Sequence, residues 1–111
     1  MAATAPRDIG DIGENIAVEY LEQRGHRIVD RNAFVDRDEI DVIYEGVEGL
    51  AAVEVKTTER GADPFDAITD TKLYRIRRAV AGYSYPIVSI DVIGVILGSD
   101  GVEVRWLRGI N

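Results

Sequence analysis

The chain has 111 residues, 46% hydrophobic and 30% charged, with a formal net charge of −7, the size and balance of a single globular domain spanning 1–111. No cysteine is present and His26 is the only histidine, which excludes disulfides, thiol catalysis, cysteine-ligated zinc and a histidine-rich metal centre. The acidic balance argues against non-specific coating of nucleic acid, whose affinity comes from Lys and Arg on phosphates. No apolar run approaches a bilayer span and no basic-then-apolar leader opens the chain, so a cytoplasmic protein without membrane contact is expected.

Residues 1–7, with Ala, Thr and Pro, read as a loose terminus. From Asp8 to Arg24 the pattern is helical: Ile9, Ile12, Ile16 and Tyr20 recur at spacings of three and four, and Gly25 is placed to end the helix. Gly10 and Gly13 would each weaken it by about 1 kcal/mol relative to Ala, so close packing is expected in compensation. Glu14 falls on the small-residue stripe with Gly10, Ala17, Val18 and Leu21. There it either reaches a neighbouring sheet or sits half exposed. His26, just past the glycine, reads as a surface residue at the helix end with no catalytic part.

His26 to Asp30 follows as a short strand that Arg31 to Val35 can extend, and Asp36, Arg37 and Asp38 turn the chain. Ile40–Tyr44 and Leu50–Val55 then form a hairpin around a loop with two glycines. Centred near Val47, it sets Asp41 opposite Glu54, give or take one residue of register, and alternation puts Lys56 on the face of Glu54. On the charged face lie Ile43, Leu50 and Ala52; on the other lie Ile40, Val42, Tyr44, Val53 and Val55. Strands apolar on both faces are covered on both sides, where charges are costly unless paired or bound to a metal. Two readings fit. One is a structural ion pair. The other is a Mg²⁺ site for phosphodiester hydrolysis, in which two carboxylates hold the ion and the lysine orients water or neutralises developing charge.

Thr57 to Pro64 reads as a loop at the mouth of that site. A second helix starts at Thr69 or Asp70 and runs to Ala81 or Tyr83, with Leu73, Ile76, Val80 and Tyr83 as its apolar stripe. Lys72, Arg75 and Arg78 share one flank, either a phosphate-contacting surface or an ordinary solvated face. Ile87–Leu97 reads as a buried strand, and Ser99, Asp100 and Gly101 turn it into a last strand, Val102–Leu107, whose Trp106 is a packing residue. The expected architecture is an α/β sandwich around a mixed sheet.

Taken together, Gly10, Gly13, Glu14, Ala17, Tyr20 and Leu21, then Arg31 and Asn32, EIDVI at 39–43, VEVKT at 53–57, and Lys72, Arg75 and Ile76 carry a resemblance. The sequence resembles the YraN family within the PD-(D/E)xK, or restriction-endonuclease-like, superfamily, and particularly its Holliday-junction-resolvase-like branch. The resemblance implies an αβββαβ core and an active site of Glu14, Asp41, Glu54 and Lys56. In it Asp41, Glu54 and Glu14 bind Mg²⁺, with Mn²⁺ as an alternative, and Lys72 lies near the substrate backbone. It also implies a DNA endonuclease acting on branched or processed structures, for which a homodimer would supply the two sites that two strands require. A non-catalytic adaptor keeping the nuclease fold is the alternative. Three departures from the family pattern weaken phosphate attraction: Asp38 in place of Gly, Thr58 where a basic residue is common, and Asp8 likewise.

Overall fold

The computed structural model describes residues 6–111, with side chains from Asp8 onward. The elements run α1 (Pro6–Gln23), β1 (Arg27–Val35), β2 (Asp38–Glu45), β3 (Leu50–Glu59), a short 3₁₀ turn (Pro64–Ala67), α2 (Asp70–Gly82), β4 (Ile87–Leu97) and β5 (Val102–Leu107). The five strands form one sheet in the order β1-β2-β3-β4-β5. Every pairing is antiparallel except β3–β4, which is parallel and bridged by the α2 crossover. This is the expected mixed α/β sandwich, compatible with a nuclease-like fold, with β5 added at the edge. Most of the loose terminus expected at 1–7 lies outside the described residues, and Pro6 already belongs to α1.

Helix α1 ends where Gly25 takes φ 86°, and the N–H groups of His26 and Gly25 bond to the carbonyls of Leu21 and Glu22 at 3.1 and 3.0 Å. This is the left-handed glycine stop, with two orphan carbonyls satisfied. His26 contributes its backbone to that stop while its ring is half buried, 4.9 Å from the Tyr44 ring and 5.6 Å from Trp106. The surface position expected for it is corrected accordingly: β1 starts one residue later and draws the imidazole inward.

The face α1 buries is its small-residue stripe rather than the row of isoleucines. Ala17, Val18 and Leu21 pack on Val42, Tyr44, Val53 and Ile93, whereas Ile12 is 42% exposed. The reason is Gly13. A Cβ built there would stand 1.7 Å from the Thr57 hydroxyl oxygen and 2.8 Å from its Cβ, so only the missing side chain lets helix and strand touch. Gly10 has open space around it and needs no such explanation.

Helix α2 covers the opposite face, where Ala79 with Val80 and Tyr83 packs on Ala33, Ile40, Ile43 and Ala52. Thr69 caps it, its side chain accepting from the Lys72 N–H at 3.2 Å. Strand β3 runs to Glu59, past the loop expected from Thr57, because its parallel ladder with β4 continues to Glu59–Leu97. Among the described residues no helix is long and apolar enough to cross a membrane.

Ile40 breaks the alternation expected for β2. It packs with Ile43 on the α2 side, although Val42 and Tyr44 pack on the α1 side. Side chains of strict alternation cannot do this, so the face order slips by one between Ile40 and Ile43, around Asp41. The neighbouring strand is irregular at the same level. Asn32, between the Arg31–Val42 and Ala33–Ile40 pairs, takes φ 50°, a left-handed value uncommon outside glycine.

Candidate active site

The hairpin register is the expected one: Val42 pairs with Val53 and Glu45 with Leu50, which sets Asp41 level with Glu54. The main-chain ladder stops at Val42–Val53. One step further, the Val55 N–H donates to the Asp41 carboxylate at 2.9 Å, so a side chain replaces a main-chain acceptor where the strands part.

Asp41 is half-buried, and its carboxyl is pushed up to about 8. Loss of solvent is the largest cause, followed by the charge of Glu54, with smaller contributions from Glu14 and Glu39; the Val55 hydrogen bond opposes them. Among the described residues no cation pairs with Asp41.

Glu14 does project from α1 to the sheet. Carboxylate oxygens of Glu14, Glu39 and Asp41 all lie within 4.8 Å of one another. Arg31 donates to one Glu14 oxygen at 3.2 Å, and the Asn32 amide donates to Glu14 at 3.1 Å and to Glu39 at 2.9 Å. The tight carboxylate triad therefore contains Glu39, a residue that sequence reasoning left out of the site. Alternation puts Glu39 on the face of Asp41, but nothing in the sequence sets Glu14 beside it.

Glu54 stands outside that triad. It is only 4% exposed, and its Oε1 is approached by Lys72 Nζ at 3.1 Å and Lys56 Nζ at 3.8 Å. A buried carboxylate is tolerated when cations compensate it, and here both lysines converge on one oxygen.

Lys72, Arg75 and Arg78 line one groove of about 600 Å³ together with Glu39 and Asp41. Their commitments differ. Lys72 reaches Glu54, and Arg78 holds Asp38 by a two-pronged pair at 2.7 and 2.8 Å, while Arg75 makes no ion pair among the described residues. Arg78 holds the Asp38 carboxyl below its ordinary range, so the charge that Asp38 adds beside the EID segment is met locally.

A second buried carboxylate, Asp91, belongs to the scaffold. It accepts from Tyr44 Oη at 2.5 Å, Ser89 Oγ at 2.7 Å, Trp106 Nε1 at 3.0 Å and the Gly109 N–H at 3.0 Å. Four donors satisfy it completely and tie the C-terminal residues to β4. Trp106 is thereby a packing residue, as its sequence context suggests.

The family model described as uncharacterised protein family UPF0102 matches residues 13–95. The chain is similar to the UPF0102 protein of Renibacterium salmoninarum, at 38% identity over 93% of this chain and 95% of that protein. The UPF0102 proteins of Chlorobaculum parvum, 40% identical over 94% and 85% of the two chains, and Marinobacter nauticus, 33% identical over 97% and 95%, are also similar. Among solved structures, SfsA of Pyrococcus furiosus in complex with Ca²⁺ aligns at a TM-score of 0.35 and 14% identity, over 90% of this chain and 60% of that one, a likeness too slight to carry a conclusion. With 83 consecutive positions under one family model and relatives matched nearly end to end, the chain belongs to the UPF0102 (YraN) family, of the PD-(D/E)xK nuclease-like superfamily.

Proposed function

We propose that this protein is a divalent-metal-dependent endonuclease that hydrolyses DNA phosphodiester bonds, with Mg²⁺ or Mn²⁺ as its ion and branched or processed DNA as its substrate. The observation that carries the reading is Asp41: a half-buried carboxyl crowded by Glu54, Glu14 and Glu39 and without a cationic partner among the described residues. Such an arrangement is costly in an empty protein and favourable around a cation.

The donor set suits the ion. All ligands are oxygen, which favours Mg²⁺ or Mn²⁺ over softer metals. Ligand oxygens around Mg²⁺ lie roughly 3 to 4 Å apart, and the Glu14, Glu39 and Asp41 carboxylates already gather within 4.8 Å of one another. These three, with Glu54 beside Asp41, would hold the metal. When bound, it supplies polarisation of the phosphate and a lowered pKa for the attacking water. Arg31 and Asn32 keep Glu14 and Glu39 aimed at Asp41. Lys56, half exposed beside Glu54, orients the water or meets the charge that develops on the phosphate. Lys72 and Arg75, on the same groove, contact the substrate backbone.

The test is cleavage of linear, nicked, flapped and four-way DNA with Mg²⁺ or Mn²⁺ by wild type, Asp41→Asn and Glu54→Gln. Loss of about 10³-fold in rate, with circular dichroism unchanged, is the expected result. Full activity in either variant overturns the assignment. One observation favours the adaptor reading: Lys72 already sits on Glu54 as an internal cation. DNA binding indifferent to Mg²⁺, without turnover of any structure, would select it.

A further inference from the structure

We infer that the groove beside the carboxylates seats single-stranded DNA, with Tyr74 as the stacking platform for one base; the inference rests on the nuclease reading and names the form of its substrate. Tyr74 lies on α2 between the site lysine, Lys72, and the unpaired Arg75, and lines the same groove as Glu39 and Asp41. The residue is 63% exposed and belongs to neither apolar core. Packing therefore does not account for an aromatic there.

The ring is nonetheless held. The Arg78 guanidinium lies 5.5 Å from its centroid, and Arg78 is fixed by two hydrogen bonds to Asp38. The Asp38–Arg78 pair thus props Tyr74 from one side and leaves most of its surface to the groove. A ring with a fixed cation on one side and its remaining surface open offers a face to a base.

Charge points the same way. At a net −7 the chain cannot rely on many phosphate contacts, and of the groove's cations Lys72 and Arg78 already serve Glu54 and Asp38. Arg37 and Arg75 are exposed and make no ion pair among the described residues. Two free arginines are few for a duplex, whose bases offer no face to an aromatic. A single strand presents both: phosphates for Arg37 and Arg75, and an unstacked base for Tyr74. The strand then runs along α2 and delivers a phosphate to Asp41.

The experiment is fluorescence polarisation with labelled oligo-dT and a blunt duplex of equal length, in EDTA and in Ca²⁺, on wild type, Tyr74→Ala and Tyr74→Phe. The expected result is single strand bound at least tenfold tighter than duplex. Tyr74→Ala should lose about tenfold or more on the single strand, the weight of one stacked base. It should lose little on the duplex, and Tyr74→Phe should bind as wild type. Because Tyr74 lies on the surface, the alanine variant keeps the fold, which circular dichroism verifies. Equal affinity for duplex and single strand, or an unchanged Tyr74→Ala, overturns the inference; if Asp41→Asn still abolishes cleavage, the nuclease reading stands without it. Failure of wild type to bind either DNA overturns both.

Discussion

Alanine at Gly13 and alanine at Gly10 should move stability in opposite directions, although the two glycines sit three residues apart in one helix. Both changes gain helix propensity, about 1 kcal/mol each. At Gly10 nothing lies within 4 Å of the added carbon, so the gain is realised. At Gly13 the new methyl meets Thr57 Oγ1 at 1.7 Å and Thr57 Cβ at 2.8 Å. Rotating the threonine removes the first clash but not the second, because Cβ is fixed to β3. Helix and strand must separate by roughly 0.6 Å to restore a 3.4 Å contact, and such overpacking costs about 1–3 kcal/mol. The net expectation is a loss of up to about 2 kcal/mol for Gly13→Ala and a gain of up to about 1 kcal/mol for Gly10→Ala. At about 4 °C per kcal/mol for a domain of this size, Tm falls by up to about 8 °C in one and rises by up to about 4 °C in the other. Thermal and urea unfolding at fixed pH decide it. Since Glu14 follows Gly13, the same shift displaces its carboxylate from Glu39 and Asp41 and lowers cleavage by up to about 10²-fold, with Gly10→Ala unaffected. Equal signs for the two variants would refute the close-packing account.

Three further outcomes are expected. Glu39→Gln should weaken Mn²⁺ binding, measured by calorimetry, about tenfold or more without unfolding the protein, because one of three clustered carboxylates is lost; wild-type affinity would remove Glu39 from the site. The Asp41 carboxyl titrates higher in the folded chain, about 8, than its ordinary 3.8, so the folded state keeps a proton that the unfolded chain has lost. Its contribution to stability is full below pH 3.8 and disappears as pH rises through 8; urea midpoints of metal-free protein should show this fall, flattened in Asp41→Asn. Tyr44→Phe removes the 2.5 Å hydrogen bond to buried Asp91 and should cost about 1.5–3 kcal/mol in urea unfolding, a cost absent if the other three donors suffice.

The sequence by itself determined the elements and the pairing of the central strands. β-branched runs at 40–44, 50–55 and 87–97, bounded by Gly- and Pro-containing segments, can bury themselves only as strands, and a loop centred near Val47 brings Asp41 level with Glu54 to within one residue. Glycine placement likewise marked the end of α1 at Gly25. Three features were decided only by tertiary structure, because each depends on segments distant in sequence. The buried face of α1 is chosen by the contact of Gly13 with Thr57, 44 positions away, and not by the isoleucine spacing that marks the helix. Glu39 enters the carboxylate triad because Asn32, in the left-handed region on β1, holds it beside Glu14 while the side-chain order of β2 slips near Asp41. The basic flank of α2 divides into committed and free cations because Asp38 and Glu54 come from two different strands to meet Arg78 and Lys72. Local pattern specifies what each segment can become; which charges face one another is fixed by how the helices settle on the sheet.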